Sequence, residues 1–307
     1  MIAYLSGQFD RLPRATGAAL LMVTVAMLTA SMHAIIRVTT TELHPIEVAF
    51  FRSFFGLVVL FPALMRAGLK VLATRRLPAH LVRTGFQFAS MITFFFGISM
   101  VPLAKASALM FTAPLFATVF AVLILGETIR ARRVSALVIG FIGMLIIVRP
   151  AGGTVDTGTV LIILSAAGLA GMLVSIKSLS STESSVAITA IGAIIMTVVT
   201  FIPALTVWEW PTARQLFWMF MIGALGSAAH YLVAQAMRRA EASAIMPYDF
   251  TKLIWASVLG FLIFSEIPSS WTLAGGMVIF ASTIYITYRE SRVGGAGAAS
   301  QAVRERG

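Results

Sequence analysis

"KASALMFTAPLFATVFAVLILGE" (residues 105–127) and "EASAIMPYDFTKLIWASVLGFLIFSE" (residues 241–266) are one pattern written twice. The first six positions align at an offset of 136, four of them identical, and the closing Glu127 and Glu266 align at 139. The second copy therefore carries three extra residues. After each Glu, small residues fall at matching places, Ala136 with Gly275 and Gly143 with Ser282. Small residues let transmembrane helices approach closely. The chain reads as two copies of one unit, provided that the rest of it divides the same way.

Composition sets the solvent. Of 307 residues, 59% are hydrophobic and 11% charged, with mean hydropathy +0.93. A soluble domain has about 25% charged residues, and no water-soluble core of this length hides so much apolar surface. The chain is an all-α membrane protein. It has no cysteine, which excludes disulfides, thiol nucleophiles and Cys-ligated metal sites. Four histidines leave little for metal chemistry, and no cofactor-binding motif is present.

A helix needs about 20 mostly apolar residues to cross the hydrocarbon. Ten stretches qualify: 16–36, 45–65, 85–100, 106–126, 134–148, 158–176, 185–207, 216–236, 242–264 and 272–288. The first is longer than a signal-peptide core and lacks a small-residue cleavage site, so it is read as a helix. Spans 1–5 make a first repeat over 16–149 and spans 6–10 a second over 157–288. Residues 291–307, rich in Gly, Ala and Arg, are expected to form a disordered cytoplasmic tail.

The net charge of +11 is mostly an orientation signal. With both termini cytoplasmic, inside segments hold 17 Lys and Arg residues, including five between Arg66 and Arg83. The outside holds four: Arg37, Lys105, Arg149 and Arg214. That bias follows the positive-inside rule and makes a nucleic-acid groove a poor explanation. Trp208, Trp210 and Trp271 fall at the outer borders, as interfacial aromatics do. Five spans per copy is an odd number, so the second copy enters the membrane from the opposite side. The loop between spans 2 and 3 has five basic residues and its counterpart between spans 7 and 8 has one, so the bias flips with the copy. Inverted repeats recur in secondary transporters.

This pattern resembles the EamA family of the drug/metabolite transporter superfamily: ten spans in two halves, an Arg early in span 2 ("HPIEVAFFRSFF"), and spans 4 and 9 closing on "LGE" and "FSE". The likeness covers about residues 16–288. "HPIEVAFFRSFFGLVVLFP" and "MPYDFTKL…FLIFSEIP" look most similar to that family's S-adenosylmethionine uptake carriers. The resemblance implies an inner-membrane carrier of a small organic metabolite. It also implies a central cavity lined by spans 1, 3, 4, 6, 8 and 9, with spans 5 and 10 joining the halves. Substrate, direction and oligomeric state, monomer or dimer, stay open, because one fold hosts many cargoes.

Candidate substrate residues follow from polarity at depth. Arg52 sits about 10 Å inside span 2, at 1.5 Å per residue from Pro45. An intramembrane Arg costs roughly 2.5–3.5 kcal/mol on the insertion scale. It serves either substrate and gating or a structural bond to carbonyls. Glu47, in the first turn after Pro45, suits the positive helix end. In span 9, Asp249 and Lys252 share a face at a spacing of three, with Tyr248 and Trp255 on the same stripe. They form either a self-neutralising pair with packing aromatics or a polar, aromatic-lined substrate face; the second reading is adopted. His33, Gln87, His230 and Tyr231 complete the set.

No Walker A sequence is present, so the chain has no ATP drive of its own. An intramembrane enzyme is disfavoured by the absence of HExxH, GxSxG and cysteine. A scaffold needs neither an inverted repeat nor mid-membrane charge. An exporter of amino acids or related metabolites is the nearest alternative. The partners are then a small-molecule substrate and the bilayer, with no nucleic acid. The topology is tested by reporter fusions. Those at Thr41 and Ser270 should report the outside and those at Ala73 and Gly295 the inside. An outside signal from Ala73 sinks the inverted repeat.

Overall fold

A computed structural model describes residues 14–68, 72–125, 131–149, 155–180, 182–239, 248–282 and 284–285. Glu127, residues 240–247 and the tail 291–307 lie outside them. Among the described residues there is no strand. The helices are α1 (Arg14–Glu42), α2 (Pro45–Ala67), α3 (Leu77–Met100), α4 (Leu103–Met110), α5 (Ala113–Leu125), α6 (Ala131–Val148), α7 (Thr157–Leu179), α8 (Ser185–Ala204), α9 (Ala213–Arg239), α10 (Thr251–Phe264) and α11 (Ser270–Ser282). Seven described segments are long and apolar enough to cross a membrane, and spans 5, 9 and 10 contribute shorter apolar helices. Spans 9 and 10 run into residues outside the described ones, so their full length lies beyond this description.

Local chemistry sets the boundaries. His44 caps α2, its Nδ1 accepting from the Ile46 N–H at 3.4 Å, and Pro45 takes the first turn, where a missing N–H costs nothing. Pro78 does the same for α3, which therefore starts at Leu77 and not at the expected residue 85. This moves Arg83 from the loop into the helix. Span 4 breaks into α4 and α5 because Pro114 has no N–H to return to the preceding turn. Thr112 takes up the slack, its hydroxyl donating to the Leu109 carbonyl at 2.7 Å. Span 9 has its turn at Phe250, just before α10. Phe111-Thr112 and Phe250-Thr251 are the same dipeptide in the two copies, at the offset of Glu127 and Glu266. Their phenyl rings stack with centroids 4.0 Å apart and planes 19° apart.

The helix pairings are reciprocal. α3 packs along α7 (spans 3 and 6), and α9 along α1 (spans 8 and 1). Exchanging the halves turns each pair into the other. The same holds for α5 on α7 against α10 on α1, and for α2 on α9 against α8 on α3. α2 on α8 maps onto itself, and α4 on α10 joins span 4 to its counterpart, span 9. These are the contacts of two repeats about a pseudo-two-fold axis. In the α3–α7 seam, Ser90 and Ser165 each donate to the other's backbone carbonyl at 2.8 Å.

At the end of the bundle that carries Trp208, Trp210 and Trp271, every basic side chain expected outside is matched. Arg37 holds Glu266 with two bonds, 2.7 and 2.6 Å, under the Phe264 ring. Glu266 also accepts the Leu103 N–H at 3.1 Å, which ties α1, α4 and α10 together. Ser265, left-handed at φ 56°, makes the turn that aims Glu266 back. Lys105 pairs with Asp156 at 2.8 Å, Arg214 with Glu42 at 2.9 Å, and Arg149 lies 4.7 Å over Trp271. Burial alone would raise the Asp156 pKa; bonds from Lys105 and Thr159, with the Lys105 charge, hold it at about 2. Its contribution to stability is present above the ordinary value of 3.8 and lost as pH falls toward 2.

α6 and α11 meet at glycines. A Cβ on Gly143 would lie 2.9 Å from the Gly275 carbonyl oxygen, backbone that cannot yield cheaply. Gly143→Ala should therefore lower the apparent melting temperature in detergent. Gly85→Ala, in α3 with nothing within 4 Å of the new Cβ, should hold or raise it, since alanine favours a helix over glycine by about 1 kcal/mol. Equal behaviour of the two variants would mean that this crossing is not close.

Candidate functional site

α2, α8 and α9 differ between their two halves. Toward the Trp end they carry Phe50, Phe51, Phe55, Phe201 and Phe220, joined by Trp208 from the connection between α8 and α9. Those rings form a contact network, with Phe51 5.4 Å from Trp208, Phe50 5.1 Å from Phe201 and Phe55 5.7 Å from Phe220. Level with the innermost of these rings and beyond them, the facing residues are small: Ser53, Gly56, Ala193, Gly223, Gly226 and Ser227. Missing side-chain volume leaves a cavity of about 430 Å³ between α2, α3, α8 and α9. That is within the range of metabolite pockets. The aromatic network lies on the Trp side of it, and exposed His230 and Tyr231 lie away from that end.

Its polar lining is cationic. Arg52 and Arg83 both face it, and no Asp or Glu is among its lining residues. Arg52 donates one bond, Nη1 to the Met91 thioether at 3.3 Å, a weak acceptor. Arg83 is 7% exposed, and its Nε and Nη1 have no partner among the described residues. It lies against α8 where Gly192 has no side chain; a Cβ there would land on Nη1. One turn along α3, the buried Gln87 Oε1 is also without a partner. His230 lies within electrostatic reach of both arginines.

The sequence candidates fall into two groups. Arg52, Gln87, His230 and Tyr231 come together in this cavity. Tyr248, Asp249, Lys252 and Trp255 do not line it. Lys252 pairs with Asp249 at 3.2 Å and sits 5.0 Å over the Phe111 ring, at the break in the repeat helices. Trp255 packs on the core, and Tyr248 is exposed. His33, buried in α1 with its ring 4.5 Å from Phe94, feels the charges of both Lys252 and Arg52 and stands between the groups. The cavity is lined by spans 2, 3, 7 and 8, so of the six spans that the resemblance implied only 3 and 8 take part. The reason is the run of small residues on spans 2 and 7. Arg83 is the charged lining residue that sequence reading missed; Pro78 was the signal that the helix starts early enough to include it. Glu47 is elsewhere, fully buried at the Trp end of α2 beside the Glu209 backbone.

Comparison with known proteins agrees with this architecture. The model of the EamA-like transporter family matches residues 16–149 and 156–288. An S-adenosylmethionine uptake transporter of Rickettsia bellii is 31% identical over 82% of this chain and 87% of its own. A pseudopaline exporter of Pseudomonas aeruginosa is 26% identical over 87% and 95%. A riboflavin transporter of Brucella anthropi is 27% identical over 82% and 91%. A solved crystal structure, 19% identical, superposes with a TM-score of 0.61 over 91% of this chain and 99% of that one, a likeness of fold.

Because the natural chain has no cysteine, single cysteines report water directly. Only a thiolate reacts, and a thiolate needs water or a cation beside it. Ser53→Cys and Ser227→Cys should be modified by a polar thiol reagent in the membrane. Val58→Cys, exposed on the same helix as Ser53 but outside the lining, and Phe51→Cys in the aromatic network should not. Modification of Phe51→Cys at the rate of Ser227→Cys would show that the aromatic rings do not close that end.

Proposed function

Since the chain belongs to the EamA-like transporter family, we propose that it takes S-adenosylmethionine across the bacterial inner membrane by alternating access, with both termini cytoplasmic. It is a multi-pass membrane transporter and not an enzyme. The supporting observation is the polar, cationic cavity at membrane depth, closed toward the Trp end by aromatic rings and lined by small residues beyond them. Most of the repeat contacts have a counterpart in the other half, so exchanging the two arrangements carries the opening from one face to the other. On the positive-inside reading the Trp end is outside and this cavity opens inward. The substrate choice rests on the likeness to the uptake transporter of Rickettsia bellii.

Within this reading the repeats are 16–149 and 157–288, with ten crossings once the shorter helices of spans 5, 9 and 10 are included. Arg52, Gln87, His230 and Tyr231 hold cargo in the inward-facing arrangement, with Arg83 added to them. Tyr248, Asp249, Lys252 and Trp255, with His33 between, offer a carboxylate and aromatic faces to the cationic sulfonium and the adenine. Cation–π contact is worth about 0.5–2 kcal/mol where desolvated. A second reading is export of an amino-acid-like metabolite, which the likeness to the pseudopaline exporter favours.

Purified protein in liposomes should accumulate labelled S-adenosylmethionine unchanged, faster than protein-free liposomes, and exchange it against internal unlabelled S-adenosylmethionine. Export of amino acids without any S-adenosylmethionine flux would favour the second reading. A chemically altered product would reject transport itself.

A further inference from the structure

The cavity holds two guanidiniums and no carboxylate among its lining residues. Arg83 is nine-tenths buried, with two N–H groups unpartnered among the described residues, and Gln87 on the next turn buries an unpartnered acceptor. A buried charge without a partner is costly. Arginine's fork suits a carboxylate better than any other common anion-bearing group of metabolites except phosphate. Gln87 Oε1 accepts only, so it calls for a donor beside the anion. A carboxylate next to an ammonium is the head group of a free α-amino acid.

We propose that Arg83 and Arg52 bind the α-carboxylate, and Gln87 Oε1 the α-ammonium, of a cargo carrying a free amino-acid head. This end of the cavity sets the substrate class, and the proposal deepens the transport reading above, on which it rests. Gly192 belongs to the site, because its missing side chain is what lets Arg83 lie against α8. The sulfonium and adenine of S-adenosylmethionine then extend away from the arginines, toward His33 and the span 9 group, and no acidic residue of the cavity lining competes for the arginines. A phosphate, free or in a lipid headgroup, shares the anion but has no use for the Gln87 acceptor.

The test compares S-adenosylmethionine with its decarboxylated analogue, which keeps the sulfonium, the adenine and an amine. In wild-type liposomes the analogue should compete for uptake at least tenfold more weakly. Arg83→Gln should raise the KM for S-adenosylmethionine tenfold or more and leave the weak affinity for the analogue unchanged. Gly192→Ala keeps the charge but displaces the guanidinium, so it should act in the same direction. A merely structural Arg83 would lower both substrates equally, and that result overturns the proposal. So does an analogue that competes as well as S-adenosylmethionine. If the wild type transports neither, the substrate reading falls, and thermal shift decides the head-group proposal separately. Stabilisation by L-methionine or other L-amino acids, but not by their decarboxylated amines, supports it in wild type and should vanish in Arg83→Gln. Stabilisation by inorganic phosphate or phosphatidylglycerol alone, or by none of these, overturns it.

Discussion

Hydrocarbon forms no hydrogen bonds, so every polar group that the chain carries into the membrane must be met by the chain itself or by whatever fills its cavities. Most of this structure obeys that rule visibly. Ser90 and Ser165 cross-bond in the α3–α7 seam. Helix interiors return their threonine and serine hydroxyls to carbonyls one turn back, as Thr200 does to Met196. Arg37, Lys105, Arg149 and Arg214 each have an acid or an aromatic face beside them at the Trp end. Against that background the cavity stands out. Arg52 has a thioether, and Arg83 has a glycine's empty space. His33, Thr84 and Ser107 also bury unmet polar atoms among the described residues, but Arg83 does so beside a cavity that a solute can enter.

The two repeats are alike in packing and different in chemistry. Both break at a Phe-Thr pair, and the paired rings stack where the halves meet. In the first copy the break is enforced by Pro114, in a segment without charge. The second copy adds three residues just before its break, and there it places Asp249 and Lys252, with the ammonium over the first copy's Phe111. The architecture does not require this polarity, because span 4 makes the same fold without it. Sequence divergence at a symmetric junction is where a symmetric carrier can treat its two faces differently.

Much of the fold was legible because lipid imposes long apolar runs and a charge bias, and because the repeat is written in residues 105–127 and 241–266. Arg52, Gln87, His230 and Tyr231 were legible as polarity at depth. Arg83 was not. The segment 77–84 contains His80, Arg83 and Thr84, so hydropathy assigned it to the loop, although Pro78 is a helix-start residue. The break at Phe111 was hidden for the opposite reason: the run from Ala106 stays apolar throughout, and only Pro114 marks the change of direction. The choice of lining spans was not legible either. It depends on Ser53, Gly56, Ala193, Gly223 and Gly226 facing one another across three helices, and small residues in sequence do not say which neighbour they face.

Neutralisation also bears on how such a carrier works. To change face, the protein must close helices over Arg52 and Arg83, which removes what water the cavity admits. Closing over two unpaired guanidiniums costs several kcal/mol of lost solvation. Closing over a guanidinium already holding a carboxylate costs much less, because the charge is met before the water leaves. On the proposed reading the loaded arrangement crosses the barrier more easily than the empty one, without a lid or a dedicated switch. Directionality then comes from the gradients of the cargo and of whatever anion-bearing solute returns. On that reading, the two side chains that choose the substrate also penalise movement without it.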